Sequence, residues 1–304
     1  MARWYRESMK IHLVDGTYEL FRSHFGAPRR KAPDGREVGA TVGLLRSLFA
    51  LVSTPGVTHV ACAFDHVIES FRNDLFPGYK TGAGVDADLL AQFPLAERGV
   101  SALGIVVWPM MEFEADDALA TGAARFRDRP GVEQVVICSP DKDLAQSVSG
   151  FRVVCWDRRR GIVADEDGVM QKFGVRPHSI PDWLALVGDA ADGYPGIPAW
   201  GAKSAAAVLA RVDHLESIPE DPRRLGLPLA RASRLVESLE THREEALLYR
   251  RLATLRVDVP LEEELADLKW RGAGAELEEV CQGLGDEGLS ERITKRRDTS
   301  TGDR

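Results

Sequence analysis

Four carboxylates fall within six residues, Glu112-Phe113-Glu114-Ala115-Asp116-Asp117, where a helix should begin. Like charges that close repel one another unless a cation holds them, which raises the question of a metal site. The preceding Gly104-Ile-Val-Val-Trp108 reads as a buried strand and Ala115 to Ala124 as a helix, so the acids sit at a strand-to-helix junction. Glu114 and Asp117 then lie one turn apart on one face. A plainer account exists, because acids in a first turn complement the helix dipole for about 0.3–1 kcal/mol each. Recurrence argues for more. Lys10 to Gly16 is an apolar run ending in Asp15, Thr58 to Asp65 repeats it, and Gln134 to Cys138 leads into Asp141 and Asp143.

One aspartate after a strand is turn chemistry. Several, on strands separated by helical stretches such as Ala40 to Val52, imply crossovers and a mostly parallel sheet flanked by helices, an α/β fold. In such sheets the carboxyl ends of the strands form the ligand-binding edge, and every acidic group falls there. Converging carboxylates without basic partners call for divalent cations. Hard oxygen ligands with no His or Cys among them favour Mg²⁺ or Mn²⁺ over Zn²⁺. Two such ions about 4 Å apart are a common device for phosphodiester hydrolysis. Ser70 to Lys80 contributes Arg72 and Lys80, able to stabilise charge on a phosphate or, in the plainer reading, exposed helix cations. Gly188-Asp189-Ala-Ala-Asp192-Gly193 adds two acids that could complete the site. After it, Tyr194 to Ala210 is a glycine-bearing turn leading into an alanine-rich helix. The N–H groups of that helix could hold a phosphate, though such a turn is also a common connector.

At 304 residues the chain can hold one large domain, or one plus a smaller one. No run approaches the roughly 18 apolar residues of a membrane span, and Met1 to Lys10 lacks a signal-peptide core, so the reading is a cytoplasmic protein with no membrane partner. Cys62, Cys138, Cys155 and Cys281 show no C-x-x-C spacing and read as buried free thiols. A net charge of −8 would ordinarily count against a nucleic-acid partner. With the nine candidate ligands set aside from the 47 acids, the remaining 38 face 39 lysines and arginines, so the rest of the surface is near neutral.

The stretch from Thr81 to Glu97 is rich in small residues, carries no Lys or Arg, and reads as flexible. Phe151 to Trp156 reads as a further strand and Asp165 to Phe173 as a helix closing the first domain, with a boundary at Arg176 to Pro181. From Asp213 to Leu284 the composition is helical and charged, broken by Pro219, Pro222, Pro228 and Pro260, and the polar end reads as disordered. The expected organisation is a domain over 10–178, a helical region over 179–288 and a tail over 289–304.

Taken in order, Val14-Asp15-Gly16, Phe64-Asp65, Ser70-Phe71-Arg72, Gly78-Tyr79-Lys80, Glu114-Ala115-Asp116-Asp117, Pro140-Asp141-Lys142-Asp143 and Gly188-Asp189-x-x-Asp192 form a specific set. The set resembles the 5′-nuclease (flap endonuclease) superfamily over roughly Lys10 to Gly285, and in particular the 5′–3′ exonuclease domain of bacterial DNA polymerase I. The resemblance implies a PIN-like catalytic domain followed by a helix-hairpin-helix DNA-binding region. It implies that Asp15, Asp65, Glu114, Asp116, Asp117, Asp141, Asp143, Asp189 and Asp192 hold Mg²⁺ or Mn²⁺, and that Arg72 and Lys80 contact the scissile phosphate. It also implies DNA contacts by Arg22, Tyr79, Gly196, Gly201, Lys203 and Ser204, with K⁺ at the hairpin, and places Thr81 to Glu97 in an arch over the site. The partner would be DNA with 5′ ends, flaps or nicks, met by a monomer in replication or repair. With no polymerase segment following, the chain reads as a stand-alone enzyme. Two departures are Gly193, where the family usually has Asn, and Ala199 beside Trp200, where it usually has Gly. Two other readings stay open: a PIN-type ribonuclease, which normally lacks the Gly188-to-Ala210 segment, and a catalytically silent DNA-binding scaffold, which would have lost carboxylates.

Overall fold

In the computed structural model, which describes residues 9–293, five strands run parallel: β1 (Met9–Asp15), β2 (Val57–Asp65), β3 (Val106–Met110), β4 (Val132–Cys138) and β5 (Val153–Asp157). β6 (Ile162–Ala164) closes one edge antiparallel, giving the order β3-β2-β1-β4-β5-β6. The order in which the strands are added reverses between β1 and β4, the usual position of a ligand crevice. The strands are apolar on both sides because both faces are covered. Ile11, Leu13, Ala63 and Ile137 pack with one cluster, while Val14, Cys62, Phe64 and Val136 pack with the other.

Helices α1 (Gly16–Gly26), α2 (Gly39–Val52), α4 (Ala87–Leu90) and α5 (Phe93–Ala102) cover the second face; the short α3 (Phe71–Leu75) precedes α4 in sequence. Helices α6 (Ala115–Phe126), α7 (Glu166–Phe173), α8 (Ile180–Val187), α9 (Ala202–Val212), α10 (Leu229–Thr241) and α11 (Arg243–Ala253) contribute to the first. All four cysteines are buried free thiols, as expected from their apolar surroundings.

Two expectations are corrected. The segment read as flexible, Thr81 to Glu97, carries α4 and the start of α5. Leu89 and Phe93 are buried, and the Thr41 N–H donates to Gln92 Oε1 at 3.0 Å. Asp86 and Asp88 do not stand unopposed, since Arg29 lies 3.3 and 3.2 Å from them and His24 3.3 Å from Asp86. The apolar residues among the small ones supply the anchor that composition concealed.

The second correction concerns the chain's end. After α11 it returns to the first domain: the Trp270 N–H donates to Thr58 O, the Val60 N–H to Leu268 O, and α12 (Leu277–Gly283) packs in the α2–α5 cluster. Leu277, Val280, Cys281 and Leu284 recur at helical spacing and need an apolar partner, which the α2–α5 cluster supplies. Residues 287–293 are helical with Leu289 and Ile293 buried, so a tail beginning at 289 starts too early. The rest of the tail, 294–304, lies outside the described residues.

If this return is part of the first core, Leu284→Ala should destabilise cooperative unfolding by about 2–4 kcal/mol. A urea titration would show a lower midpoint with an unchanged slope, whereas an independent segment would leave the midpoint where it is.

Candidate metal centre

The crevice between β1 and β4 opens between Asp15 and Asp141. Asp15 ends β1 and caps α1: its Oδ1 accepts the Tyr18 N–H at 2.8 Å and its Oδ2 the Ser139 hydroxyl at 2.9 Å. The chain turns this tightly because residue 16 is glycine, since a Cβ there would lie 2.6 Å from the Phe64 ring. Asp65 is braced on both sides. Its N–H donates to Thr17 Oγ1 at 2.8 Å and its Oδ1 accepts the Ala115 N–H at 2.7 Å, tying β2 to the start of α6. Asp141 donates its N–H to Ser139 Oγ at 3.1 Å and accepts that of Asp143 at 2.8 Å. Thr17 and Ser139, which hold three of the acids in place, had no motif of their own in the sequence.

Asp143, Asp189 and Asp192 form a second group, each offering one carboxylate oxygen within 4.8 Å of the others. The last two come from the loop after α8. That loop lies flat on Gly78 to Lys80, where the Lys80 N–H donates to Asp192 O at 3.0 Å. Gly193 allows the approach: its φ is +90°, and a Cβ would fall 2.2 Å from Gly78 O. This accounts for glycine after the last acid in this chain. Lys142, between two acids of the motif, pairs with Asp189 and lies 3.9 Å from Asp143.

The electrostatics follow from burial first and mutual repulsion second. Burial, with Asp65 and Asp141 nearby, pushes Asp15 up to about 7, against the opposing hydrogen bonds from Tyr18 and Ser139. Burial raises Asp116 well above the usual carboxylate range, reinforced by Asp141 and Asp15, and raises Asp143 likewise, reinforced by Asp141 and Asp192. Asp192 rises to about 6 through burial although Lys80 opposes the shift. Asp141 repels members of both groups and so links them. Asp143 Oδ1 is buried without a hydrogen-bond partner. Seven aspartates, one of them with a buried oxygen that no hydrogen bond reaches, are all hard donors and fit a divalent cation.

Four expected roles do not fit the geometry: Asp117 and Glu114 as ion ligands, Arg72 as a phosphate contact and Tyr79 as a DNA contact. Asp117 is fully buried, and both its oxygens are occupied: Oδ1 by Arg72 Nη2 (2.8 Å) and the Arg256 N–H (2.9 Å), Oδ2 by Arg72 Nη1 (2.7 Å) and the Glu114 N–H (3.0 Å). It is an anchor for arginine, not an ion ligand. Arg72 is only 1% exposed and reaches Glu114 (3.0 Å), Asp117, Leu252 O (2.8 Å) and Thr254 O (3.2 Å), so no donor is left for a phosphate. Tyr79 is buried too, its hydroxyl 3.4 Å from Glu114, and does not face solvent as a DNA contact would. Glu114 is shared among Ser70, Arg72 and Lys80, the last at 2.6 Å. Burial would raise its pKa, but Lys80 and Arg72 outweigh that and hold it low. Lys80 itself is part-exposed beside Glu114 and Asp192, at the mouth of the site.

Of the expected DNA contacts, Arg22 on α1 is engaged with Glu19 and with Ser47 Oγ at 3.1 Å. Lys203 is exposed in the first turn of α9, while Ser204 is buried and accepts the Gly201 N–H at 3.1 Å, and Gly196 is buried. Ala199 takes φ 69°, a left-handed conformation costing a non-glycine residue about 1–2 kcal/mol. Trp200 offsets it, buried with its Nε1–H donating to Leu235 O on α10 at 3.1 Å.

A family model described as the 5′-3′ exonuclease N-terminal resolvase-like domain matches residues 10–174, and one described as the 5′-3′ exonuclease C-terminal SAM fold matches 175–276. The chain belongs to the 5′-3′ exonuclease family. A 5′-3′ exonuclease of Aquifex aeolicus is 33% identical over 85% of this chain and 86% of its own length. DNA polymerase I of Pseudomonas aeruginosa is 36% identical over 84% of this chain but 28% of its own, so the chain spans less than a third of that relative. Among solved structures, a T5 5′-exonuclease with bound zinc has a TM-score of 0.60 at 17% identity, covering 94% of this chain and 97% of its own. The catalytic core of Rad2 in complex with DNA substrate has a TM-score of 0.59 at 14% identity, covering 95% and 93%. At these identities the structures show the fold, which they share with this 5′-3′ exonuclease family member. No helix among the described residues is long and apolar enough to cross a membrane.

The raised carboxyls set a pH dependence. A carboxyl held above its unfolded value binds a proton in the folded state that the unfolded chain has released, so stability falls as pH rises from about 4 to about 7. A divalent cation relieves the repulsion only where the carboxyls are ionised. Saturating Mg²⁺ should therefore raise the melting temperature more at pH 7.5 than at pH 5, and an equal rise at both would contradict the arrangement.

Proposed function

We propose that this 5′-3′ exonuclease family member is a metal-dependent 5′-3′ exodeoxyribonuclease and flap endonuclease, hydrolysing DNA phosphodiester bonds in replication or repair. The observation that carries the reading is the pair of carboxylate groups, Asp15, Asp65 and Asp116 on one side and Asp143, Asp189 and Asp192 on the other, linked through Asp141 at one sheet edge. These residues would hold two Mg²⁺ or Mn²⁺ ions, which supply a lowered water pKa and charge neutralisation at the phosphate. Lys80 Nζ, at the mouth between Glu114 and Asp192, is the cation placed to meet a phosphate oxygen. Arg72 acts at one remove, by fixing the carboxylate that holds Lys80.

The exposed N-terminal turn of α9, with its N–H groups and Lys203, would take the duplex backbone, and the carbonyls around Gly196 to Gly201 would hold K⁺. Arg22 would add a phosphate contact from α1. Binding of this kind is directed to phosphates and carries no sequence information. All the carboxylates come from one chain, so the acting unit is a monomer, placed in the cytoplasm with the DNA. The α8–α9 segment disfavours a PIN-type ribonuclease, and the full set of carboxylates disfavours a silent scaffold.

Asp141→Asn removes the shared carboxylate without touching a DNA contact. Because metal assistance is worth several kcal/mol, hydrolysis should fall by roughly 10²-fold or more while DNA binding in Ca²⁺ persists. A panel of 5′-labelled flap, nicked, single-stranded and RNA substrates measures both the loss and the preference. Near-normal turnover by the variant would sink the assignment, and preferential cleavage of RNA would favour the ribonuclease reading.

A further inference from the structure

Tyr194 is 1% exposed, yet its hydroxyl has no hydrogen-bond partner. The residue is not free to turn away. Its ring stacks on Tyr249 of α11 with centroids 5.4 Å apart and planes 24° apart. Its main chain is bonded both ways to Asp189, which donates to Tyr194 O at 2.9 Å and accepts from the Tyr194 N–H at 3.0 Å. Burial raises its pKa, and the nearby carboxylates of Asp143, Asp192 and Asp189, whose oxygens converge within 4.8 Å of one another, raise it further. Asp143 Oδ1, in that group, is likewise buried with no hydrogen bond, Lys142 Nζ standing 3.9 Å from it. A phenylalanine would stack on Tyr249 equally well and leave nothing unsatisfied, so packing alone does not account for the hydroxyl.

A cation held by the three aspartates would answer the Asp143 oxygen that no hydrogen bond reaches, but not a neutral phenol. Hard divalent ions give up their water reluctantly and keep several molecules when few protein ligands surround them. We propose that Tyr194 is a positioning residue for an ion held by Asp143, Asp189 and Asp192, its hydroxyl hydrogen-bonding to water that the ion brings with it. The inference rests on the metal-dependent reading above and adds to it a residue outside the acidic motifs. Partners of this kind orient the coordination shell, and their loss lowers metal affinity by about 10–100-fold.

The test uses the full chain freed of metal, as wild type, Tyr194→Phe and Asp189→Asn. Mn²⁺ binding is followed by paramagnetic resonance of the free ion, and Tb³⁺ binding by emission excited through tyrosine. Tyr194→Phe should bind Mn²⁺ about tenfold more weakly at one of two sites, leave the other unchanged, and lose most sensitised Tb³⁺ emission at equal occupancy. Its metal-free melting temperature should equal or exceed that of wild type, because no buried hydroxyl is then left unpaired. Wild-type Mn²⁺ affinity at both sites in Tyr194→Phe, with one site missing in Asp189→Asn, would overturn the role of Tyr194 while leaving the metal reading intact. A metal-free melting temperature well below wild type would show that the hydroxyl serves the fold, which also overturns it. A wild-type protein that binds no Mn²⁺ would remove both inferences together.

Discussion

Repulsion among buried carboxylates at one sheet edge is the constraint to which the rest of the structure answers. Asp15, Asp116, Asp143 and Asp192 are all driven upward by burial and by neighbouring carboxylates, Asp141 among them in every case. Such an edge keeps its shape only if each acid is held by something other than its neighbours. The fold supplies fixed donors for this: the Tyr18 and Ala115 N–H groups at two helix starts, the Ser139 hydroxyl, and the Asp143 N–H. None neutralises a full charge, so the site remains tuned for cations while its geometry is set in advance. Preorganisation of this kind is what metal-assisted chemistry needs from a protein.

Arg72 shows how the second region is fastened to the first. Its guanidinium is buried between Asp117 and Glu114 on one side and the carbonyls of Leu252 and Thr254, at the end of α11, on the other. A buried arginine with every donor engaged is stable in a way that the same residue with a missing partner would not be, since an uncompensated buried charge costs about 3–5 kcal/mol. The same side chain satisfies the end of a helix, fixes the acid that holds Lys80, and joins regions some 180 residues apart in sequence. Tyr194 and Tyr249, both in the second region, stack on one another.

The hairpin departs from the family pattern without being disordered by the departure. Ala199 accepts a left-handed backbone that glycine would adopt freely, and the buried Trp200 ties the turn to α10. Gly193 has the opposite logic, because contact with Gly78 leaves no room for a Cβ. Neither residue explains itself in isolation. Each turn is held by a residue distant in sequence, Leu235 in one case and Gly78 in the other.

The strand-then-acid pattern was legible in the sequence because it is local: strand alternation and the run of apolar residues fix which end of each strand carries the aspartate, and a parallel sheet puts those ends together. Asp15, Asp65, Asp116, Asp141 and Asp143 could be nominated on that basis, and Asp189 and Asp192 as two acids ending a short helix. Type and spacing could not separate Asp117 and Glu114 from them, since whether a carboxylate meets an ion or an arginine depends on which other element arrives beside it. The order of α4 and the return of residues 268–293 to the first core were hidden for a related reason. Small or charged stretches show no strong periodicity, and the apolar residues within them acquire a meaning only from the surface they bury against. Local chemistry in the sequence determined where the carboxylates stand. Tertiary packing alone decided which of them arginine neutralises and which are left facing the crevice, because that division depends on long-range approach and burial.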